Sequence, residues 1–221
     1  MTTISLLGTN MSFIGDAFFD NNDEFNGDLL PFNSTQIVRD NPDTGLTTTL
    51  TGTGFQFAGP PGDEEPIAGT ITSISVVDGS NALQGTITGI NWPITTFVFA
   101  VDAAEVNNLQ PIANLFSSGG PITVNASAAL VPLDVNELLD AEILALLSQP
   151  VNVLGTGGFD TLAGTSGNDT LNPADNSDPF GGFSPGDNII ASTGNDRIVF
   201  SDLEFGFVTL NYSAFTTGLK A

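Results

Sequence analysis

Five aspartates recur at a spacing of nine: Asp160, Asp169, Asp178, Asp187 and Asp196. Two places after each stands an apolar residue, Leu162, Leu171, Phe180, Ile189 and Ile198. Carboxylates on a fixed period do one of two things. They ligate a hard cation, or they accept backbone N–H groups in Asx-rich surface turns. Other chemistry is scarce. The chain has 25 Asp+Glu against 3 Lys+Arg, and no His and no Cys. That removes the Ser-His-Asp triad, thiol nucleophiles, imidazole bases, disulfides and ordinary structural zinc. Arg39, Arg197 and Lys220 cannot form the basic face that nucleic acid requires, so no nucleic-acid partner is expected.

The elements that would position these residues follow from composition. Over 221 residues the chain is 40% hydrophobic and only 13% charged, enough to bury a core, and the net charge of −22 comes from missing Lys and Arg rather than from an acidic tail. With 25 Gly and 13 Pro the turns are dense, which favours β structure. No run of about 18 apolar residues exists, so no membrane insertion is expected, and the start Met1–Gly8 lacks a conventional export leader.

From Met1 to about Leu130 short β runs dominate: Gln36–Val38, Leu46–Phe57, Gly69–Val77 and Leu83–Ile90, in an antiparallel sheet. Two helices are expected. One covers Ala100–Ser117, with Pro111 as a potential break. The other covers Asp134–Leu147, opened by Asp134 and Glu137 as a capping box. After Pro150 the nine-residue period takes over, with Gly155–Ala163 and Gly164–Asn172 matching Gly to Gly, Asp to Asp and Leu to Leu.

A nonapeptide of this kind is a six-residue turn followed by a three-residue strand. Two units make a coil of 18 residues, which stacks Asp160 over Asp178 over Asp196 on one side and Asp169 over Asp187 on the other. Stacked strands lie about 4.7–4.9 Å apart, where two bare charges repel by roughly 0.9 kcal/mol in water and roughly 3.5 kcal/mol at an effective dielectric of about 20. A calcium ion between the carboxylates would reverse that sign, because it takes 6–8 oxygens at about 2.3–2.6 Å.

Gly155–Ala163, Gly164–Asn172 and the segment around Gly194-Asn195-Asp196-Arg197-Ile198 resemble the RTX (hemolysin-type) nonapeptide Gly-Gly-x-Gly-x-Asp-x-apolar-x. The resemblance implies a parallel β-roll that folds on calcium, and export in one step through a type I secretion channel. Carried onto this chain it implies one ion among Thr156, Gly158, Asp160, Pro173, Asp175 and Asp178, and a second among Thr165, Gly167, Asp169, Gly182, Ser184 and Asp187. A third ion would use Ala174, Asn176, Asp178, Ala191, Thr193 and Asp196. The middle departs from the motif. Pro173, Asn176, Pro179 and Pro185 occupy positions meant for Gly or left free, and if that stretch loops out the coil is split into Gly155–Asn172 and Gly186–Phe200.

The acidic run Asp20–Asp28 lacks EF-hand spacing and reads as a solvated loop, and Gly52-Thr53-Gly54 lacks the Lys of a nucleotide loop. Trp92 is a core aromatic or a sugar-stacking platform. Asn-x-Ser/Thr triplets begin at Asn10, Asn33, Asn125, Asn168 and Asn211. The segment Thr47–Phe116 also resembles modules attached to RTX arrays and, distantly, haem-scavenging hemophores. Haem does not carry over, since His is absent and Tyr212 is the only Tyr.

The expectation is a mainly β protein. An N-terminal α+β module with a mostly antiparallel sheet (1–148) precedes a short parallel β-roll of nonapeptide repeats (149–200), and capping strands, or the start of further sequence, follow (201–221). Its expected role is that of a secreted, extracellular or cell-surface calcium-binding structural protein without enzymatic activity. Two alternatives stay open: an adhesin binding a glycan or protein through the N-terminal module, and a carbohydrate-active enzyme using paired carboxylates.

Overall fold

The computed structural model describes residues 1–18, 29–41, 44–60, 64–174, 186–200 and 208–213. The run Asp20–Asp28, and Asp175, Asn176, Asp178, Gly182 and Ser184 of the expected ion sites, lie outside them.

The chain is mainly β, built on a large mixed sheet. Strand β1 (Thr2–Leu6) leads into helix α1 (Phe13–Phe18). Strands β2 (Leu29–Asn33), β3 (Gln36–Asn41), β4 (Leu46–Ala58), β5 (Glu65–Val77) and β6 (Leu83–Pro93) form an antiparallel meander. Then come α2 (Ile94–Glu105), α3 (Gln110–Ser117), β7 (Ile122–Asn125), α4 (Val135–Leu139) and α5 (Ala141–Leu146). Six short strands follow: β8 (Val151–Leu154), β9 (Thr161–Ala163), β10 (Thr170–Asn172), β11 (Asp187–Ile190), β12 (Arg197–Ile198) and β13 (Val208–Asn211). The ten-stranded sheet runs β12-β10-β8-β7-β1-β6-β5-β4-β3-β2, and a second sheet runs β13-β11-β9.

The four strands expected before Leu130 are present as β3, β4, β5 and β6, longer than their apolar alternation suggested. β1 was not foreseen, yet it is the pivot of the sheet. It pairs antiparallel with β6 on one side and parallel with β7 on the other. From β7 onward every pairing in the large sheet is parallel.

One row of side chains explains why the two halves join. In register across nine strands lie Ile198, Leu171, Val153, Val124, Ile4, Ile87, Ile74, Leu50 and Ile37. Eight of the nine are buried, and Ile198 packs against them from the edge. Strand side chains alternate between faces, so a one-residue slip in any strand would turn that strand's member of the row out of the core. The expected boundary at 148/149 falls between α5 and β8, and the sheet continues across it through the β7–β8 ladder.

The helices differ from expectation in their breaks. The run expected over Ala100–Ser117 is two helices, α2 starting earlier at Ile94 and α3 beginning at Gln110. Pro111 sits in the first turn of α3, where its missing N–H costs nothing. The helix expected over Asp134–Leu147 divides at Asp140, whose φ of 64° breaks the spiral. Asp134 caps α4 by accepting Asn136 N–H at 2.9 Å, and Asp140 caps α5 by accepting Glu142 N–H at 2.6 Å. Glu137 accepts a hydrogen bond from Ser12 Oγ at 3.0 Å. Among the described residues no helix is long and apolar enough to cross a membrane.

The row sets a clear expectation for stability. Ile4→Ala, at a fully buried position of the pivot strand, lowers unfolding free energy by about 2–5 kcal/mol. Phe99→Ala, at a side chain 62% exposed on α2, changes it by less than about 0.5 kcal/mol. Urea denaturation followed by circular dichroism measures both.

Candidate functional site

The strands after Pro150 alternate between the two sheets. β8, β10 and β12 extend the large sheet, while β9, β11 and β13 build the small one, each ladder parallel. Leu162 and Ile189 of the small sheet and Val153 and Leu171 of the large one belong to a single buried cluster, as the apolar column requires. Between β8 and β9, between β9 and β10, and between β11 and β12 the connecting turn has six residues, but 173–186 joins β10 to β11 with fourteen.

That long connection changes the stacking. Thr161 pairs with Asn188, and Thr170 with Arg197, a separation of 27 residues rather than 18. Asp160 therefore stacks with Asp187, and Asp169 with Asp196. The expected stack of Asp169 on Asp187 does not form, since Asp187 lies against Asp160. The departures from the motif at Pro173, Asn176, Pro179 and Pro185 all fall within this connection of the sequence. Between the described strands the register thus advances by nine residues more than the expected 18.

Each aspartate is held by donors. Asp160 Oδ1 accepts Leu133 N–H at 2.6 Å and the Thr156 hydroxyl at 2.7 Å, and its Oδ2 accepts Thr156 N–H at 2.6 Å. Asp169 repeats the scheme. Its Oδ1 accepts Val151 N–H at 2.8 Å, and its Oδ2 accepts Thr165 N–H at 2.7 Å. One rung further on, Asp187 Oδ1 accepts Asp160 N–H at 2.9 Å and Asp196 Oδ1 accepts Asp169 N–H at 3.0 Å. Every carboxylate thus bonds the main chain of the rung before it. Asn168 adds a parallel link, accepting Asn195 N–H at 2.9 Å.

The hydroxyls at the second position of the units complete the turns. Thr156 Oγ1 accepts Gly158 N–H at 2.9 Å while donating to Asp160. Thr165 Oγ1 accepts Gly167 N–H at 3.0 Å, and its single proton lies between Gln149 O at 2.8 Å and Asp169 Oδ1 at 3.1 Å. Ser192 Oγ lies between Asp196 Oδ2 at 2.7 Å and Asp169 Oδ2 at 3.3 Å. Gly155 and Gly164 stand at the first position because a β-carbon there would strike the carboxylates of Asp160 and Asp169.

Thr156, Gly158 and Asp160 thus come together, as do Thr165, Gly167 and Asp169; among the described residues Asp187 lies with the first set and not, as expected, with the second. Leu133 and Asp187 join the first set; Gln149, Val151, Ser192 and Asp196 join the second. Pro173 carries its carbonyl oxygen near Gly155, and Thr193 is exposed. Leu133, Gln149 and Val151 could not be found from the period, because they precede it. Ser192 could have been, since Thr156, Thr165 and Ser192 all stand where the motif has Gly.

These turns do not fit a calcium ion as they stand. The ion needs oxygen lone pairs on all sides, whereas Asp160 and Asp169 face N–H and O–H protons on both oxygens. Among the described residues no group of three or more acidic side chains is gathered. Burial pushes both carboxyls above their ordinary value of 3.8, against the downward pull of the hydrogen bonds from Leu133 and Thr156, and from Val151 and Thr165; the like charge of Asp196 adds to the rise at Asp169. Asp78 is the opposite case. It is held low by hydrogen bonds from Ser80 and Ala82 in the β5–β6 turn.

Trp92 is 2% exposed and packs on Phe97 and Phe116, with ring centroids 6.3 and 5.3 Å away. It is a core aromatic and offers no face to a sugar. Gly52-Thr53-Gly54 lies within β4, where a β-carbon at Gly52 would strike Thr70 O. Asn33, Asn125 and Asn211 accept the N–H two residues on, as Asx turns at strand ends. Comparison with family models, curated proteins and solved structures finds no match to this chain.

Two measurements test this geometry. Gly155→Ala and Gly164→Ala each destabilise by about 1–3 kcal/mol through displacement of the buried carboxylate, whereas Gly15→Ala, in α1 with open space around it, is neutral or stabilising by up to about 1 kcal/mol. The second concerns pH. A folded-state value above 3.8 means the native chain binds protons more tightly than the unfolded one, so this stabilisation is full below 3.8 and is lost as pH rises through the folded value. Relief of the net charge acts in the same direction. Asp169→Asn should therefore show a shallower fall of melting temperature from mildly acidic pH to neutrality than the parent chain.

Proposed function

We propose that this chain is a structural module of an extracellular or cell-surface protein, in which the N-terminal sheet acts as the platform for an RTX-like parallel β-roll. The observation that carries the reading is the unbroken ladder β1-β7-β8-β10-β12. Thr161 N–H donates to Leu133 O at 2.7 Å, and Ile122 N–H to Pro150 O at 3.0 Å, so the main chain of the first module serves as the zeroth rung of the coil. A parallel coil needs such a start, because its first strand otherwise presents an unpaired edge. The chain's lack of Cys supports passage through an export channel as an unfolded polypeptide, with folding following on the far side.

The acidic side chains support a structural role rather than catalysis by paired carboxylates. Asp134 and Asp140 cap helices, Asp78 holds a turn, and Asp160 and Asp169 tie rungs together. Calcium, expected between the sixth-position aspartates, is not required at these two turns.

A platform and its coil unfold as one unit. Differential scanning calorimetry should show a single transition whose calorimetric and van't Hoff enthalpies agree. Two separable transitions, one for the meander and one for the coil, would remove the reading.

A further inference from the structure

We propose that the second-position hydroxyls of Thr156, Thr165 and Ser192 are built-in substitutes for a divalent ion, so that these turns close without metal. The inference rests on the β-roll reading given above and goes beyond it.

A stacked column of carboxylates must be neutralised or bridged. In a coil whose second position is Gly, no side chain at that position can do this, and an ion can occupy the space. Here three described units carry a hydroxyl at that position, and each donates to the aspartate four residues later. Thr165 places its proton between a backbone carbonyl and a carboxylate, a pair of oxygens of the kind a cation would gather. Ser192 places its proton between the carboxylates of two successive rungs, Asp169 and Asp196, where the like charges are closest to conflict. Thr156 and Thr165 are buried with their aspartates, so each hydroxyl is committed to the turn and not to water. The hydroxyl also accepts the N–H of the fourth-position glycine in the first two units. One oxygen therefore ties the fourth and sixth positions of the turn together.

The experiment compares the full chain in EDTA and in millimolar calcium by hydrogen exchange, reading the amides of Thr156, Asp160, Thr165 and Asp169, together with its melting temperature. The expected result is equal protection of those four amides in both buffers. Loss of their protection in EDTA, with recovery in calcium, would overturn the proposal. Thr156→Val/Thr165→Val keeps the shape and removes the hydroxyls, and should lower the melting temperature by roughly 5–10 °C in either buffer. Thr156→Ser/Thr165→Ser keeps the hydroxyls and should stay within about 3 °C of the parent. A valine pair as stable as the parent would sink the proposal, and so would a serine pair as weak as the valine pair. If the valine pair does not fold, the serine pair and the exchange data decide alone. Slow exchange in EDTA with two calorimetric transitions would defeat the platform reading and leave the locks standing. Fast exchange in EDTA with one transition would do the reverse.

Discussion

The structure depends on a line of apolar contacts that runs from Ile37 to Ile198 across nine strands of one sheet. Burying a branched side chain is worth about 1.5–3 kcal/mol, and this line buries one on each of eight strands, with Ile198 half-buried at the edge, continuing where the antiparallel meander gives way to the parallel strands. The short parallel strands alone could not supply that. They are two to four residues long, with at most two buried apolar residues each, and such short strands gain too little burial to hold a register by themselves. Packed edge-on against β7 and β1, they inherit the register of a sheet already fixed by much longer strands.

The second constraint is charge. A chain with a net charge of −22 and no His must fold with almost no cationic partners for its carboxylates. It does so by turning its short acidic side chains onto backbone N–H groups. Helix starts, a hairpin turn and the inter-rung positions all use the same bond, an aspartate oxygen accepting a main-chain proton. Such bonds to an ionised acceptor are stronger than neutral ones, which offsets the cost of burying Asp160 and Asp169. Burial still pushes the proton affinity of both groups up against the pull of those bonds. The buried aspartates therefore specify register as much as they stabilise it, since Oδ1 of each accepts one main-chain N–H from the rung before.

Much of this was legible in the residues. The period of nine located the strands β9, β10, β11 and β12, and the apolar alternation located β3 to β6. Asp134 marked a helix start. The breaks were less legible, for particular reasons. Pro111 is silent about whether it ends one helix or begins the next, because it is tolerated in a first turn and forbidden in an interior one. Asp140 adopts a positive φ that its residue type allows but does not demand. β1 looked like an unremarkable start to the chain, because five residues cannot reveal that two distant segments will pair with them. The hydroxyls at Thr156, Thr165 and Ser192 were visible, but their significance was not, since a departure from a motif gains meaning only when its partner is seen.

By itself the sequence determined local geometry: which residues turn, which alternate, and which carboxylate belongs to which nonapeptide, because these are set by bonds within a few residues. Only the tertiary structure decided which rung lies on which. The fourteen residues between β10 and β11 allow Asp160 to meet either Asp178 or Asp187, and chain length alone does not choose. The choice falls to the pairing of Leu162 with Ile189 and of Leu171 with Ile198, where long-range burial and continuous hydrogen bonding are satisfied together.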